Sequence, residues 1–164
     1  MNTTDRTLAA GVLIESTTAL DNTVFAGVII LLTEYNEKGA MGFVVNQPFG
    51  RALNELVEFS QVPYFPLYRG GPVDEDHLYF IHHRPDLIPD GIPVVNDLYA
   101  GGDFGRVVKG IQQQQLNTEE VKIFVGYCGW DRGELEAEIA EGSWRLYPVN
   151  HGAPADLLSF VFRL

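Results

Sequence analysis

The chain has few of the features that usually indicate where a protein is found. It contains a single cysteine, Cys128, in 164 residues, which excludes an intramolecular disulfide and a zinc site built from several cysteines. The amino-terminal apolar run is short and ends at Glu15, and no cleavage pattern of small residues follows it. The longest apolar run, Val24–Leu32, is far too short to span a bilayer. We therefore expect a soluble, cytoplasmic protein.

Basic residues are also scarce. The chain has 11 lysine and arginine residues against 22 aspartate and glutamate residues, a net charge of −11, and its isoelectric point is about 4.6. The basic residues are scattered, whereas nucleic acids and anionic membranes are bound through clustered lysine and arginine. We therefore expect no direct binding to nucleic acid and no attachment to a membrane. The expected partner is an unidentified protein or small molecule.

The sequence lacks the motifs of the common nucleotide and hydrolase sites. It has no Walker-type lysine loop, no GxGxxG loop and no GxSxG elbow. Two glycines precede a predicted helix at Asp103, but an aspartate at the N-cap adds negative charge there and disfavours phosphate. His82 and His83 are adjacent on a predicted strand and point to opposite faces, so they cannot readily share one ion. We expect no cofactor and no metal site, and we assign no catalytic residue.

Strand hairpins with irregularly placed helices account for most of the sequence. The hydrophobic fraction is 46% and the charged fraction 20%, which is typical of a globular protein, and the length fits a single domain over residues 1–164. Turn residues at Asn36–Gly39 separate two apolar runs and predict a hairpin. Helical spacing predicts helices over Arg51–Phe59 and over Phe104–Ile111, the second capped by Asp103. This arrangement favours an α+β fold with a mixed or antiparallel sheet.

The stretch 123–144 is expected to organise the rest of the chain. Its pattern predicts a strand over Lys122–Tyr127, a glycine-hinged turn, a short acidic helix and the start of another strand. Asp131 is predicted to cap the helix, with Glu134 three residues later completing a capping box. The turn either forms a functional site or belongs to a tight strand–helix–strand unit that places Trp144 in the core. We favour the second interpretation, because such glycine punctuation usually serves the backbone.

Sequence blocks over nearly the whole chain resemble one known family. They are GVLI from Gly11, Leu20–Phe25, GAMGFVVN from Gly39 with Pro48, GGPV from Gly70, Tyr99 with GGD from Gly101, GYCGW from Gly126, GELE from Gly133 and GSW from Gly142. In order and spacing, the set resembles the YqgE/AlgH family. The resemblance implies a soluble bacterial α+β protein with branched β-sheets packed around a few short helices. Family members are often labelled as transcriptional regulators, by association with alginate production, but they provide no established catalytic residues.

The chain departs from the family pattern in two places. Ser16–Ala19 replaces an alanine-proline-like segment, and Cys128 stands where alanine is common. The second departure argues against a cysteine-dependent chemistry shared by the family. A cysteine between glycines near a helix N-terminus can have a lowered pKa, yet lone buried cysteines are usually inert. Cys128 is therefore a candidate thiol, for which we favour a packing role.

Four polar residues at predicted turns are candidates for a shared cleft. They are Asp21, Asn46, Asp103 and Asp131. They either converge on one site or cap and brace separate turns, and we favour capping.

Two functions follow from these alternatives. One is a binding or regulatory protein without catalytic activity, acting indirectly through protein or small-ligand contacts. The other is an uncharacterised enzyme that uses the four polar residues in a cleft. A concave pocket holding several of them would favour the enzyme, whereas an exposed apolar patch would favour the binding protein. Our prediction is the binding protein.

Overall fold

Ten strands and three α-helices make up the part of the chain that the computed structural model describes, residues 7–148 and 154–164. The strands are β1 (Leu13–Ser16), β2 (Ile29–Asn36), β3 (Gly39–Val44), β4 (Pro48–Ala52), β5 (Pro66–Arg69), β6 (Val73–His82), β7 (Ile92–Val95), β8 (Leu98–Ala100), β9 (Val121–Asp131) and β10 (Trp144–Leu146). The helices are α1 (Phe104–Gln112), α2 (Glu134–Ala140) and α3 (Pro154–Arg163), and 3₁₀ turns lie at Thr18–Leu20, Leu53–Glu55 and Val57–Phe59.

β9 is the central strand of the sheet. One side of it pairs antiparallel with β6, with Phe80 opposite Ile123. The other side is shared, because β5 pairs parallel with the first half of β9, Leu67 opposite Ile123, and β3 pairs antiparallel with the second half, Met41 opposite Gly129. From β9 the sheet therefore branches, through β3 to β2, β1 and β10 and through β5 to β4. The predicted α+β fold with a branched, mixed sheet is confirmed.

β9 continues through the position where a glycine-hinged turn was predicted, so that prediction is wrong. Gly126 has a φ of 73°, and a Cβ atom there would lie 2.4 Å from the carbonyl oxygen of Gly71. The glycine permits the Gly71 segment to pass close to β9, and the pairing of β6 with β9 shifts register between Val73 and Leu78. A glycine in a strand is typical of either a bend or a close backbone approach. The sequence alone does not show which of the two applies at Gly126, because the approaching segment lies far away in the chain.

The helix predicted over Arg51–Phe59 does not form. The segment completes β4 and then makes two 3₁₀ turns, because the Leu53 amide donates to the Phe65 carbonyl at 2.7 Å and holds the chain beside β5. Leu53 is fully buried while Val57 is 91% exposed. The apolar spacing in this segment therefore does not mark one buried helical face.

The N-cap predicted from the sequence is confirmed for α1 but not for α2. Asp103 caps α1 as predicted, and its side chain accepts a hydrogen bond from the Arg106 amide at 3.3 Å. The N-cap of α2 is Gly133, with a φ of 80°, so the predicted Asp131 cap is wrong. Only half of the predicted capping box forms, in which Glu134 Oε1 accepts from the Asp131 amide at 2.6 Å. A left-handed glycine takes the chain from β9 into α2, which leaves Asp131 on the strand.

The prediction that Trp144 lies in the core is confirmed. Trp144 is 3% exposed and belongs to an apolar cluster with Ile14, Ile30 and Leu135, on the branch of the sheet that contains β1 and β10. The buried Trp130 and Trp144 of this cluster form the floor of a surface cleft.

Candidate functional site

The structure places the four predicted polar residues apart, Asp21, Asn46 and Asp103 in connections between elements and Asp131 at the end of β9. The Asn46 side chain accepts from the Ile29 amide at 2.9 Å and donates to the Gly27 carbonyl at 3.0 Å, which braces the start of β2. Asp103 caps α1, while Asp21 and Asp131 are exposed. Four clefts of about 350 to 440 Å³ lie in the described part of the chain, and none of the four residues lines any of them.

A cleft of about 440 Å³ forms where α2, the end of β9, the start of β6 and the segment 20–25 meet. We call it the tryptophan cleft. Its apolar lining includes Leu20, Val24, Phe25, Val73, Trp130 and Trp144. Its carboxylates are Glu134, Glu138 and Glu141. No lysine, arginine or histidine is among its described lining residues.

The two tryptophans of the cleft converge on one carboxylate oxygen. Trp130 Nε1 donates to Glu138 Oε1 at 3.0 Å, and Trp144 Nε1 donates to the same oxygen at 2.9 Å. The two indole rings are nearly perpendicular, at 85°, with centroids 6.0 Å apart. Phe25 packs edge-on against Trp144 with centroids 5.6 Å apart. Both buried indole N–H groups are thus satisfied by a half-buried carboxylate, as buried polar groups require.

Strand and helix periodicities bring these groups together. Alternate residues of a strand share a face, so Cys128 and Trp130 of β9 both line the cleft. The three glutamates are spaced i, i+4 and i+7, which places them on one side of a helix, and the short connection to β10 returns Trp144 beside them. The helical spacing of the three glutamates between the two tryptophans is a sequence signal for this cluster, and the sequence-based predictions did not use it.

Apolar side chains remain exposed at the rim of the tryptophan cleft. Val24 is 69% exposed and Val73 is 39% exposed. They come from segments far apart in sequence and both line the same cleft. Exposed apolar side chains beside a concave surface are typical of a binding site.

Cys128 lines the cleft as a buried and protonated thiol. It is 3% exposed, and its Sγ donates to the Gly70 carbonyl at 3.5 Å. Burial raises the pKa of the Cys128 thiol to about 12, so it is protonated at neutral pH. A buried thiol with a raised pKa fits the packing role of Cys128 better than the activated-thiol alternative.

A buried lysine is a feature that sequence analysis missed. Lys122 of β9 is 2% exposed, and its Nζ donates to the carbonyls of Val45 at 2.6 Å and Val161 at 2.9 Å. The Nζ also lies 4.1 Å from the centroid of the Tyr68 ring. Burial lowers the pKa of Lys122 to about 7. The position of a lysine within an apolar β-branched run was the only sequence signal, and α3, which covers it, could not be placed from that signal.

A second polar cluster lies on the surface of β6. Asp74, which has a φ of 57°, forms a contact of 2.7 Å from its Oδ1 to His77 Nδ1, and its Oδ2 accepts a hydrogen bond from the Tyr79 hydroxyl. The Tyr79 and His77 contacts, in that order, lower the pKa of the Asp74 carboxyl. His77 is largely exposed, so the cluster lies at the surface, where the pairing of β6 with β9 shifts register between Val73 and Leu78.

Two further features, a metal-binding cluster and a membrane-spanning helix, are absent from residues 7–148 and 154–164. No group of three or more histidine, cysteine, aspartate or glutamate side chains there could hold a metal ion. None of the helices in those ranges has the length and apolar character needed to cross a membrane.

The fold and the cleft define an α+β protein with a branched sheet and an acidic, aromatic cleft on one branch. The chain belongs to the AlgH-like family, whose sequence profile matches residues 12–157. It is 35% identical over 144 residues to a UPF0301 protein of Chlorobium limicola, covering 88% of this chain and 76% of that one. It is 37% identical over 142 residues to a UPF0301 protein of Parabacteroides distasonis, covering 85% and 70%.

Solved structures agree with this assignment. The solution structure of the AlgH protein from Pseudomonas aeruginosa superposes with a TM-score of 0.75 at 27% identity, over 100% of this chain and 86% of that one. The crystal structure of protein DIP2367 from Corynebacterium diphtheriae superposes with a TM-score of 0.72 at 20% identity, over 94% and 81%. The second similarity concerns the fold alone.

Proposed function

We propose that this protein has no catalytic activity and acts indirectly, by binding a partner in the tryptophan cleft, without binding DNA itself. The observation that carries the proposal is the cleft's composition, in which an aromatic and aliphatic lining is combined with three carboxylates. Binding sites of this size are mostly apolar with a few placed polar groups. The exposed Val24 and Val73 at the rim extend the surface that a partner would cover.

The chemistry of the cleft supports binding over catalysis. Because no lysine or histidine is among its described lining residues, no thiol or hydroxyl group there has an amine or imidazole base beside it, which is a common way to activate a nucleophile. The Cys128 thiol donates to a backbone carbonyl instead. The polar turn residues of the enzyme alternative are used separately, two of them in bracing and capping.

The charge distribution supports an indirect mode of regulation. The net charge is −11, so approach to a polyanion is opposed. The helix α2 carries three glutamates and no basic residue, and the only basic residues of α1 are Arg106 and Lys109, while Val107 and Ile111 are buried. A helix that reads DNA offers several basic or amide side chains to bases and phosphates.

A capture comparison tests the role of the cleft. Val24→Asp places a charge on the rim, and Val57→Asp makes the same change at a residue that is 91% exposed and does not line the cleft. Immobilised protein is incubated with extract of the source organism. We expect proteins retained by the unaltered chain and by Val57→Asp to be lost with Val24→Asp. Equal retention by both variants would contradict the proposal.

A second measurement tests the absence of DNA binding. Fluorescence anisotropy of labelled duplexes is recorded against the purified protein at low salt, where phosphate contacts are strongest. We expect no saturable change at micromolar protein with either promoter or random sequences. Sequence-dependent binding that weakens with added salt would overturn this part of the proposal.

A further inference from the structure

Unpaired negative charge is concentrated at the tryptophan cleft. Glu134, Glu138 and Glu141 line it together, and none of them forms a salt bridge with a basic side chain of the described residues. Some acidic residues elsewhere are paired with a basic side chain, as Glu15 is with Arg145 at 2.7 Å. A cation entering the cleft would therefore meet three carboxylates without displacing an internal partner.

The position of Glu138 is fixed by the two indoles. Both hydrogen bonds from Trp130 and Trp144 end on Oε1, and no hydrogen bond within the described residues uses Oε2. Oε2 is also absent from the buried, unsatisfied side-chain atoms of that part of the chain, so solvent reaches it. The carboxylate is thus held in one orientation with an accessible oxygen, and a held acceptor loses little entropy when it binds a donor.

The apolar rim of the tryptophan cleft indicates what kind of molecule would bring a positively charged group into it. Val24 and Val73 are exposed on the rim, and Leu20 and Phe25 continue the apolar surface inward. A free amine would leave this apolar surface in water. A protein segment with apolar residues beside its basic residue would cover it, in the way that interface cores bury apolar groups inside a polar rim.

We propose that the tryptophan cleft binds a protein segment in which a lysine or arginine side chain is flanked by apolar residues, the basic group lying against Glu138 and the apolar residues against Val24 and Val73. This rests on the proposed function and specifies the partner chemistry of the same site. Charge complementarity selects the basic group, and the exposed rim selects the apolar neighbours.

Intrinsic fluorescence provides a direct test, because the chain has two tryptophans and both line the cleft. The probes are a five-residue peptide with a central lysine between leucines, the same peptide with central arginine, and matched peptides with glutamate or norleucine at the centre. We expect saturable changes in emission with the lysine and arginine peptides, weakening as salt is raised. The glutamate and norleucine peptides should bind markedly more weakly.

A pair of double variants separates the cleft carboxylates from net charge. Glu134→Gln with Glu141→Gln removes two exposed cleft charges and leaves the Glu138 contacts with both indoles in place. Glu37→Gln with Asp97→Asn removes the same number of exposed charges at positions that do not line the cleft. We expect the first pair to weaken lysine-peptide binding by about three- to tenfold and the second pair to leave it unchanged. An equal effect of both pairs would overturn the inference.

Other experimental results would assign the tryptophan cleft to a different kind of ligand. Butylamine binding as tightly as the lysine peptide would replace the protein segment with a small cation and overturn the inference. Self-association in sedimentation experiments that Val24→Asp abolishes would assign the cleft to a second copy of the chain, with the same consequence. Absence of saturable binding by both basic peptides would also refute the inference, whereas the proposed function would stand or fall separately on the comparison of Val24→Asp with Val57→Asp.

Discussion

Glu138 and Lys122 are both ionisable side chains in apolar surroundings, but they differ in their accessibility to solvent. Glu138 is half-buried at the tryptophan cleft, accepts two indole N–H groups and keeps one oxygen accessible. Lys122 is enclosed between Val45, Val161 of α3 and the Tyr68 ring. Because desolvation disfavours a charged group, burial lowers the pKa of Lys122 to about 7. The tryptophan cleft leaves a carboxylate oxygen accessible to a partner. Lys122 is enclosed, and its hydrogen bonds connect the terminal helix α3 to the rest of the fold.

Removing Trp144 from the floor of the tryptophan cleft should have the largest effect on the free energy of unfolding. Trp144→Ala deletes a side chain that is 3% exposed and packs against Trp130 and Phe25. We expect the free energy of unfolding to fall by about 3–5 kcal/mol, measured by chemical denaturation. Tyr64→Ala, at a side chain that is 72% exposed, is the control and should change it by less than about 0.5 kcal/mol. Similar losses in both variants would show that Trp144 does not organise the cleft.

Removing the carboxylate should have an intermediate effect. Glu138→Ala leaves the indole N–H groups of Trp130 and Trp144 without their acceptor. We expect a loss of about 1–3 kcal/mol in the free energy of unfolding, with a change in tryptophan emission.

The matched control for this change is Glu138→Gln, which retains an oxygen acceptor without the charge. It should recover most of the stability while still weakening the binding of a basic peptide. If Glu138→Ala were as stable as the unaltered protein, the indole contacts would contribute little, and the contrast with Lys122 would lose its structural basis.

Replacing the buried amine should change how stability depends on pH. The ordinary lysine pKa is 10.5 and that of folded Lys122 is about 7, so between these pH values the unfolded chain holds a proton that the folded protein has released. The free energy of unfolding should therefore rise with pH across this window. Lys122→Met removes the amine and should remove this rise, with a small or favourable effect on stability below pH 7.

Denaturant titrations at intervals from pH 6 to about pH 10 check this prediction. Lys38→Met is the control, because Lys38 is exposed in the β2–β3 hairpin, and it should leave the slope unchanged. A slope in Lys122→Met equal to that of the unaltered protein would show that the amine is not desolvated as the contacts indicate.

Local patterns predicted the fold better than the site. Helical periodicity and an aspartate were enough to place α1, and strand alternation was enough to place Trp144 in the core, because each depends on neighbours in sequence. The continuity of β9 depends on the close passage of Gly71 past Gly126, which no local pattern contains.

The cleft and the buried amine escaped prediction for the same reason. Glu138 acquires its role only when α2 and β10 fold back onto β9, and Lys122 only when α3 covers it. The four polar turn residues were conspicuous in the sequence, yet Asn46 and Asp103 are used in bracing and capping turns far from each other in the chain. A polar residue at a turn satisfies local backbone groups first, which is why this signal indicated local structure better than it indicated a site.

The smallest predicted effect concerns how α2, the helix that carries Glu138, is held in place. Asp131→Ala should change the free energy of unfolding by less than about 0.5 kcal/mol, because its exposed side chain is not the cap and its amide can still donate to Glu134. Asp103→Ala, the matched change at a true N-cap, should lower it by about 0.5–2 kcal/mol. Both are measured by denaturation at neutral pH. A loss at Asp131 equal to that at Asp103 would restore the capping role that the sequence predicted. Otherwise α2 is positioned by the turn at Gly133 and by burial of Leu135, and Glu138 is held in the cleft by tertiary contacts.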